Sequence, residues 1–133
     1  MDVILNLIGT PYDGTMDFID RYKKDGIIWY LESFDLGFEQ MMEGLWKLRQ
    51  MGWFDYCNGF VFGRPLFYRN ESFDGTVQPS YEEVIKERMA DLDVPIILDA
   101  DIGNKGPQMV MINGAMARVE AFADGSGRVT YIE

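Results

Sequence analysis

Apolar positions along this 133-residue chain change period several times. Val3 to Ile8 is apolar except for Asn6 and reads as a buried strand. "GTPYDGT" follows as turn chemistry, with Thr15 placed to cap a short helix, Met16 to Lys24. Phe18, Ile19 and Tyr22 have helical spacing there, and Gly26 stops it. "IIWYLE", Ile27 to Glu32, is β-branched and aromatic and predicts a second strand. Phe38, Met41, Met42, Leu45 and Leu48 then repeat at helical period over Leu36 to Met51, with Asp35 as cap and Gly52 as stop. "GFVFG", Gly59 to Gly63, predicts a third strand bounded by glycines. "RPLFYRNESFDGTVQPS" has no periodicity and reads as a loop. Ser80 and Glu83 have the spacing of a capping box for a third helix ending near Asp91. Pro95 opens the strand "IILD". From Met109 onward two or three short strands are expected, with turns at "NG" (Asn113) and "DGSG" (Asp124 to Gly127).

Strand and helix therefore alternate to about Asp99, and a β meander follows. That order predicts an α/β layer with extra strands forming a second sheet or a partial barrel. The length is one domain's worth. A chain that opens directly on a strand is expected to be a piece of something longer.

Composition narrows the partners. Asp and Glu total 22 against 12 Lys and Arg, for a net charge of −10, which repels phosphate and argues against nucleic acid. The single cysteine, Cys57, allows no internal disulfide and suits a reducing compartment. No run is long and apolar enough for a membrane span, and the N-terminus lacks the basic region and cleavage site of a signal peptide, so a cytoplasmic location without membrane attachment is expected.

Several residues could carry chemistry. Glu32 ends an apolar strand, where α/β folds place working groups; the competing reading is a solvated strand end or an ion-pair partner. Asp99 and Asp101 form a D-x-D that could hold Mg²⁺ or serve only as loop carboxylates. Gly103 permits a positive-φ turn, and Asn104 beside it reads as turn material or as a functional amide. Arg64, just past a strand, is suited to an anionic substrate group or a carboxylate, or is simply a surface arginine. The stripe Met41, Met42, Leu45 and Trp46 reads as core packing. Cys57 has no histidine to activate it, since the chain contains none, and no serine lies in a nucleophile elbow.

Two stretches combine into something more specific. "DGIIWYLESFDLGFEQMMEGLWKLRQMGWFDYCNGFVFGRP" and "VPIILDADIGNKGPQMVMINGAMARVE" resemble the C-terminal half of the LD-carboxypeptidases. These serine peptidases include muramoyl-tetrapeptide carboxypeptidases and microcin C self-immunity proteins. Their pattern is a strand ending in Leu-Glu, a long helix, a strand ending in Gly-Arg, a Pro-Ile strand followed by Gly-His, and a turn before an A-x-V strand. The likeness runs from about Asp2 onward.

The resemblance implies a swivelling β/β/α domain: small sheets, one a partly closed barrel, with helices on one side. It implies a two-domain protein whose N-terminal domain, absent from this sequence, bears the nucleophilic serine. The C-terminal domain supplies the glutamate and histidine of the triad. Glu32 falls on the glutamate, and Asn104 stands where the family has histidine. The implied substrates are murein tetrapeptides of peptidoglycan recycling or related peptide amides, cleaved at L,D-amide bonds. No metal or organic cofactor is implied. Family members are often dimeric, so a homodimer is a further expectation. An amide cannot shuttle a proton at neutral pH, so a non-catalytic binding domain built on the same scaffold is the alternative.

Overall fold

The computed structural model describes residues 1–132. Its elements are α1 (Ile4–Leu7), α2 (Thr15–Tyr22), β1 (Ile27–Leu31), α3 (Phe38–Gln50), β2 (Cys57–Gly63), α4 (Tyr81–Met89), β3 (Ile96–Ala100), β4 (Ala117–Ala121) and β5 (Gly127–Tyr131). The sheet order is β1-β2-β3, all parallel, and β4 pairs only with β5, antiparallel.

Parallel neighbours joined through a helix cross over right-handed. Two such crossovers in the order β1-β2-β3 bring α3 and α4 to the same face of the sheet, where they pack together. The register sets Trp29 beside Phe60, and Phe60 beside Ile96. Side chains alternate across a strand, so Trp29, Leu31, Phe60 and Phe62 turn to the helices. They join Met41, Leu45 and Leu48 of α3 and Val84, Ile85 and Met89 of α4 in one buried cluster. Phe60 stacks on Phe62 with ring centroids 5.8 Å apart and meets Phe54 edge-on at 4.9 Å. The other face carries Ile28, Tyr30 and Val61, which look into a cleft of about 890 Å³. Ile112 and the β4–β5 residues Val129 and Tyr131 line its far side, and Tyr30 donates a hydrogen bond to the Asn113 amide oxygen.

Several sequence expectations need correcting. Val3 to Ile8 is not a strand. Its centre is a short helix, α1, that lies on α3. Gly44 makes this approach possible: a Cβ there would stand 2.6 Å from the Leu5 Cδ1. A short apolar run does not distinguish strand from buried helix, and packing against α3 decides. The helix caps also differ. Gly14 and Gly37 occupy the N-cap positions of α2 and α3, Asp13 accepts from the Thr15 N–H at 3.1 Å, and Asp35 is engaged by Arg69. Ser80 and Glu83 do form the reciprocal capping box of α4. Trp46 is not core: one residue beyond Leu45 the helix has turned by about 100°, and Trp46 is 53% exposed.

No closed barrel forms among the described residues. The chain from 101 to 116 contains no strand, so nothing joins β3 to the β4–β5 hairpin by a ladder. "DGSG" is the hairpin turn between β4 and β5, whereas the "NG" turn at Asn113 lies outside any strand pair. No helix among the described residues is long and apolar enough to cross a membrane.

Phe62 is fully buried between the two crossover helices and the sheet. Phe62→Ala should cost about 3–5 kcal/mol, the usual range for a buried aromatic reduced to a methyl. Urea unfolding of both chains, read at matched pH, checks this.

Candidate active site

The three parallel strands end side by side, and each delivers one candidate. Glu32 follows Leu31 at the end of β1, Arg64 follows Gly63 at the end of β2, and Asp101 follows Ala100 at the end of β3. In open α/β sheets the crevice beyond the carboxyl ends of the strands is where ligands bind.

Asn104 belongs to the loop after β3, yet its partner lies at the end of β1. The Asn104 Nδ2 donates to the Glu32 Oε1 at 3.1 Å. The loop therefore crosses over the end of the central strand β2. Gly63 stands at the crossing point. A Cβ on Gly63 would lie 2.5 Å from the Ile102 carbonyl oxygen, 2.8 Å from the Ile102 Cγ1 and 3.1 Å from the Glu32 Cβ. Gly103 is the second close approach: its φ of +98° favours glycine, and a Cβ there would meet the Glu32 Oε2 at 2.7 Å. Two missing side chains thus allow the loop to reach Glu32.

The surroundings hold this arrangement from several directions. Ile102 is buried and anchors the loop, and its N–H donates to the Ala100 carbonyl at 2.8 Å. The Met109 N–H donates to the Asp101 carbonyl at 2.7 Å, and the Gln108 amide donates to the Gly103 carbonyl. Arg64 is ion-paired with the Asp101 carboxylate, N to O 2.7 Å, and donates to the Pro107 carbonyl at 2.8 Å. Beneath the crossing, the Tyr81 hydroxyl donates to the Gly63 carbonyl at 3.3 Å. Burial pushes the Tyr81 phenol well above its ordinary value, and the nearby Glu32 and Asp99 carboxylates push in the same direction, so Tyr81 stays a donor.

On the β1 side, the Met1 ammonium donates to the Glu32 carbonyl, and the Asp2 carboxylate accepts from the Phe34 and Asp35 N–H groups, each at 2.9 Å. Partial burial alone would raise the Asp2 carboxyl; those two N–H groups and the N-terminal charge hold it below its ordinary value. The Glu32 Oε2 is enclosed and has no hydrogen-bond partner among the described residues.

The other sequence candidates do not join this pair as reactive groups. Arg64 holds the loop instead of standing open to an anion. Asp101 is engaged by Arg64, and Asp99 is exposed with a φ of +56°. The described residues contain no cluster of three His, Cys, Asp or Glu side chains able to hold a metal ion. Cys57 lies at the start of β2, the opposite end of the strand, and burial raises its thiol pKa. Gly63 and Tyr81 escaped the sequence reading as site residues. The glycine was visible only as a strand boundary, and Tyr81 only as the first residue of a capped helix.

Comparison with known proteins places the chain in a class. A family model for the LD-carboxypeptidase C-terminal domain matches residues 1–119, and the chain belongs to that family. Among solved structures it is similar to the microcin C7 self immunity protein MccF in an inactive mutant apo state. That match has a TM-score of 0.47 and 16% identity, and it covers 56% of this chain and 21% of that one. The chain therefore spans about a fifth of MccF's length. No curated protein sequence matches the chain.

Gly63→Ala should push the loop off the end of β2 and separate Asn104 from Glu32. The expected stability cost is about 1–3 kcal/mol, as for other overpacked sites. Displaced Asn104 side-chain amide resonances in the variant, with the backbone amide resonances of β4 and β5 unmoved, would verify it.

Proposed function

We propose that this chain is the glutamate-supplying domain of a serine-type LD-carboxypeptidase-like protein, with asparagine at the position of the triad base. The observation that carries this reading is the contact between Asn104 and Glu32 at the carboxyl ends of β3 and β1. Membership of the family supports it. In such a triad the glutamate orients an imidazole and stabilises its cation. The imidazole takes the serine proton and returns it to the leaving amine. Glu32 here orients an amide, which keeps the hydrogen bond and loses the proton transfer. The substrate class is a murein tetrapeptide or related peptide amide cleaved at an L,D bond, and the serine comes from a partner N-terminal domain.

A second reading is favoured by one specific observation. The whole chain contains no histidine that could take over from Asn104. On that reading the domain binds peptide or a protein partner through the same cleft wall and performs no hydrolysis.

Purified, the chain should release no D-alanine from a murein tetrapeptide above a buffer blank. Asn104→His should be tolerated at an exposed loop tip, and the new imidazole should pair with Glu32. A carboxylate within hydrogen-bond reach favours the charged ring, so its pKa should exceed the ordinary value of about 6.5. Glu32→Gln in the same background should bring it back down. Joined to a serine-bearing domain, Asn104→His should raise hydrolysis by ~10²–10⁴-fold, the usual contribution of a general base. No gain on joining, with the imidazole correctly paired to Glu32, would favour the binding domain. A ring whose pKa ignores Glu32→Gln would overturn the triad assignment.

A further inference from the structure

Arg64 makes contacts that neither the family reading nor the Glu32–Asn104 pair requires. Its Nη2 lies 2.7 Å from the Asp101 Oδ1, 2.8 Å from the Pro107 carbonyl oxygen and 3.3 Å from the Lys105 carbonyl oxygen. These acceptors lie on both sides of Asn104 in the chain. The side chain is only 22% exposed, so water competes weakly for the guanidinium. The loop's own hydrogen bonds, Met109 to Asp101 and Gln108 to Gly103, close it on itself but do not tie it to β2. Arg64 leaves the end of β2 directly beside Gly63, where the loop crosses.

We propose that Arg64 is a positioning residue: it draws both limbs of the 101–107 loop onto the end of β2 and so sets the side chain at position 104 against Glu32. It makes no hydrogen bond or ion pair with Glu32 or Asn104 among the described residues and acts through the loop backbone and Asp101. The role rests on the reading of position 104 as the partner of Glu32. A cationic nitrogen suits it, because two carbonyls and a carboxylate converge on Nη2.

The test uses the full chain carrying Asn104→His, with the single imidazole followed by NMR titration. Arg64→Gln in that background has two effects of opposite sign. Removing a nearby cation favours the charged imidazolium and raises its pKa. Releasing the loop takes the ring away from Glu32 and lowers it. Asp101 and Lys105, the other charged groups of the loop, stay unchanged in every variant. If Arg64 positions the loop, adding Glu32→Gln to Arg64→Gln has no further effect, whereas Glu32→Gln with Arg64 in place lowers the pKa. Arg64→Lys, which keeps the charge and three donors on one nitrogen, should restore part of the shift.

If Glu32→Gln lowers the pKa in the Arg64→Gln background as much as it does with Arg64 in place, the positioning role is overturned and the Glu32 pairing stays intact. A pKa insensitive to Glu32→Gln with Arg64 in place overturns both. Should Arg64→Gln fail to fold, the unaltered chain decides. Separate, slowly exchanging Nη resonances are expected for a guanidinium held by three acceptors, and a single averaged signal overturns the clamp.

Discussion

The absence of a side chain at Gly63 is the constraint on which the candidate site depends. Glu32 follows one outer strand of a three-stranded sheet, Asn104 lies in the loop after the other, and the central strand lies between them. Any side chain at the end of β2 would fill the space through which the Ile102 backbone passes. With hydrogen there, the loop lies flat across the strand end and brings an amide to a carboxylate. Gly103 repeats the condition one step later, where the loop turns with positive φ over the Glu32 side chain. Tyr81 from below and Arg64 from beside then hold the crossing from two directions.

The rest of the fold serves to keep three strand ends level. Both crossover helices press on one face, so Phe60 and Phe62 are enclosed, and β2 cannot slide against α4 without breaking the edge-on contact of Phe62 with Tyr81. Interiors packed to this density transmit displacement instead of absorbing it. The opposite face is covered only in part, by the hairpin and the segment before it, and a cleft remains with Glu32 among its walls. Glu32 thus stands in the wall of a cleft large enough for a ligand, while Asn104 in the loop is exposed.

Asparagine at position 104 separates two properties that histidine combines. Geometry survives, because an amide N–H can donate to a carboxylate as an imidazole N–H does. Proton transfer does not, because the amide has no accessible second protonation state near neutral pH. Glu32 has only a dipole beside it, and its second oxygen stays enclosed and unpaired among the described residues.

Much of this was legible in the chain before any coordinates. The alternation of strand and helix from Ile27 to Ala100 follows from hydrophobic period, and the α4 capping box follows from Ser80 and Glu83 alone. Glu32 and Asn104 could be singled out because residue type at a strand end, set against a family pattern, is local information. What required tertiary structure was every feature that joins distant segments. Ile4–Leu7 packs as a helix on α3, where Gly44 leaves room for Leu5. The hairpin stays separate because no strand bridges β3 to it. Trp46 points outward because α3 meets the sheet along the line of Met41, Leu45 and Leu48. Arg64 proved to be a clamp and Gly63 a crossing point because a loop from β3 passes over both. A one-dimensional pattern records what each residue prefers; which backbone lies 2.5 Å away is decided only when the strands are stacked in order.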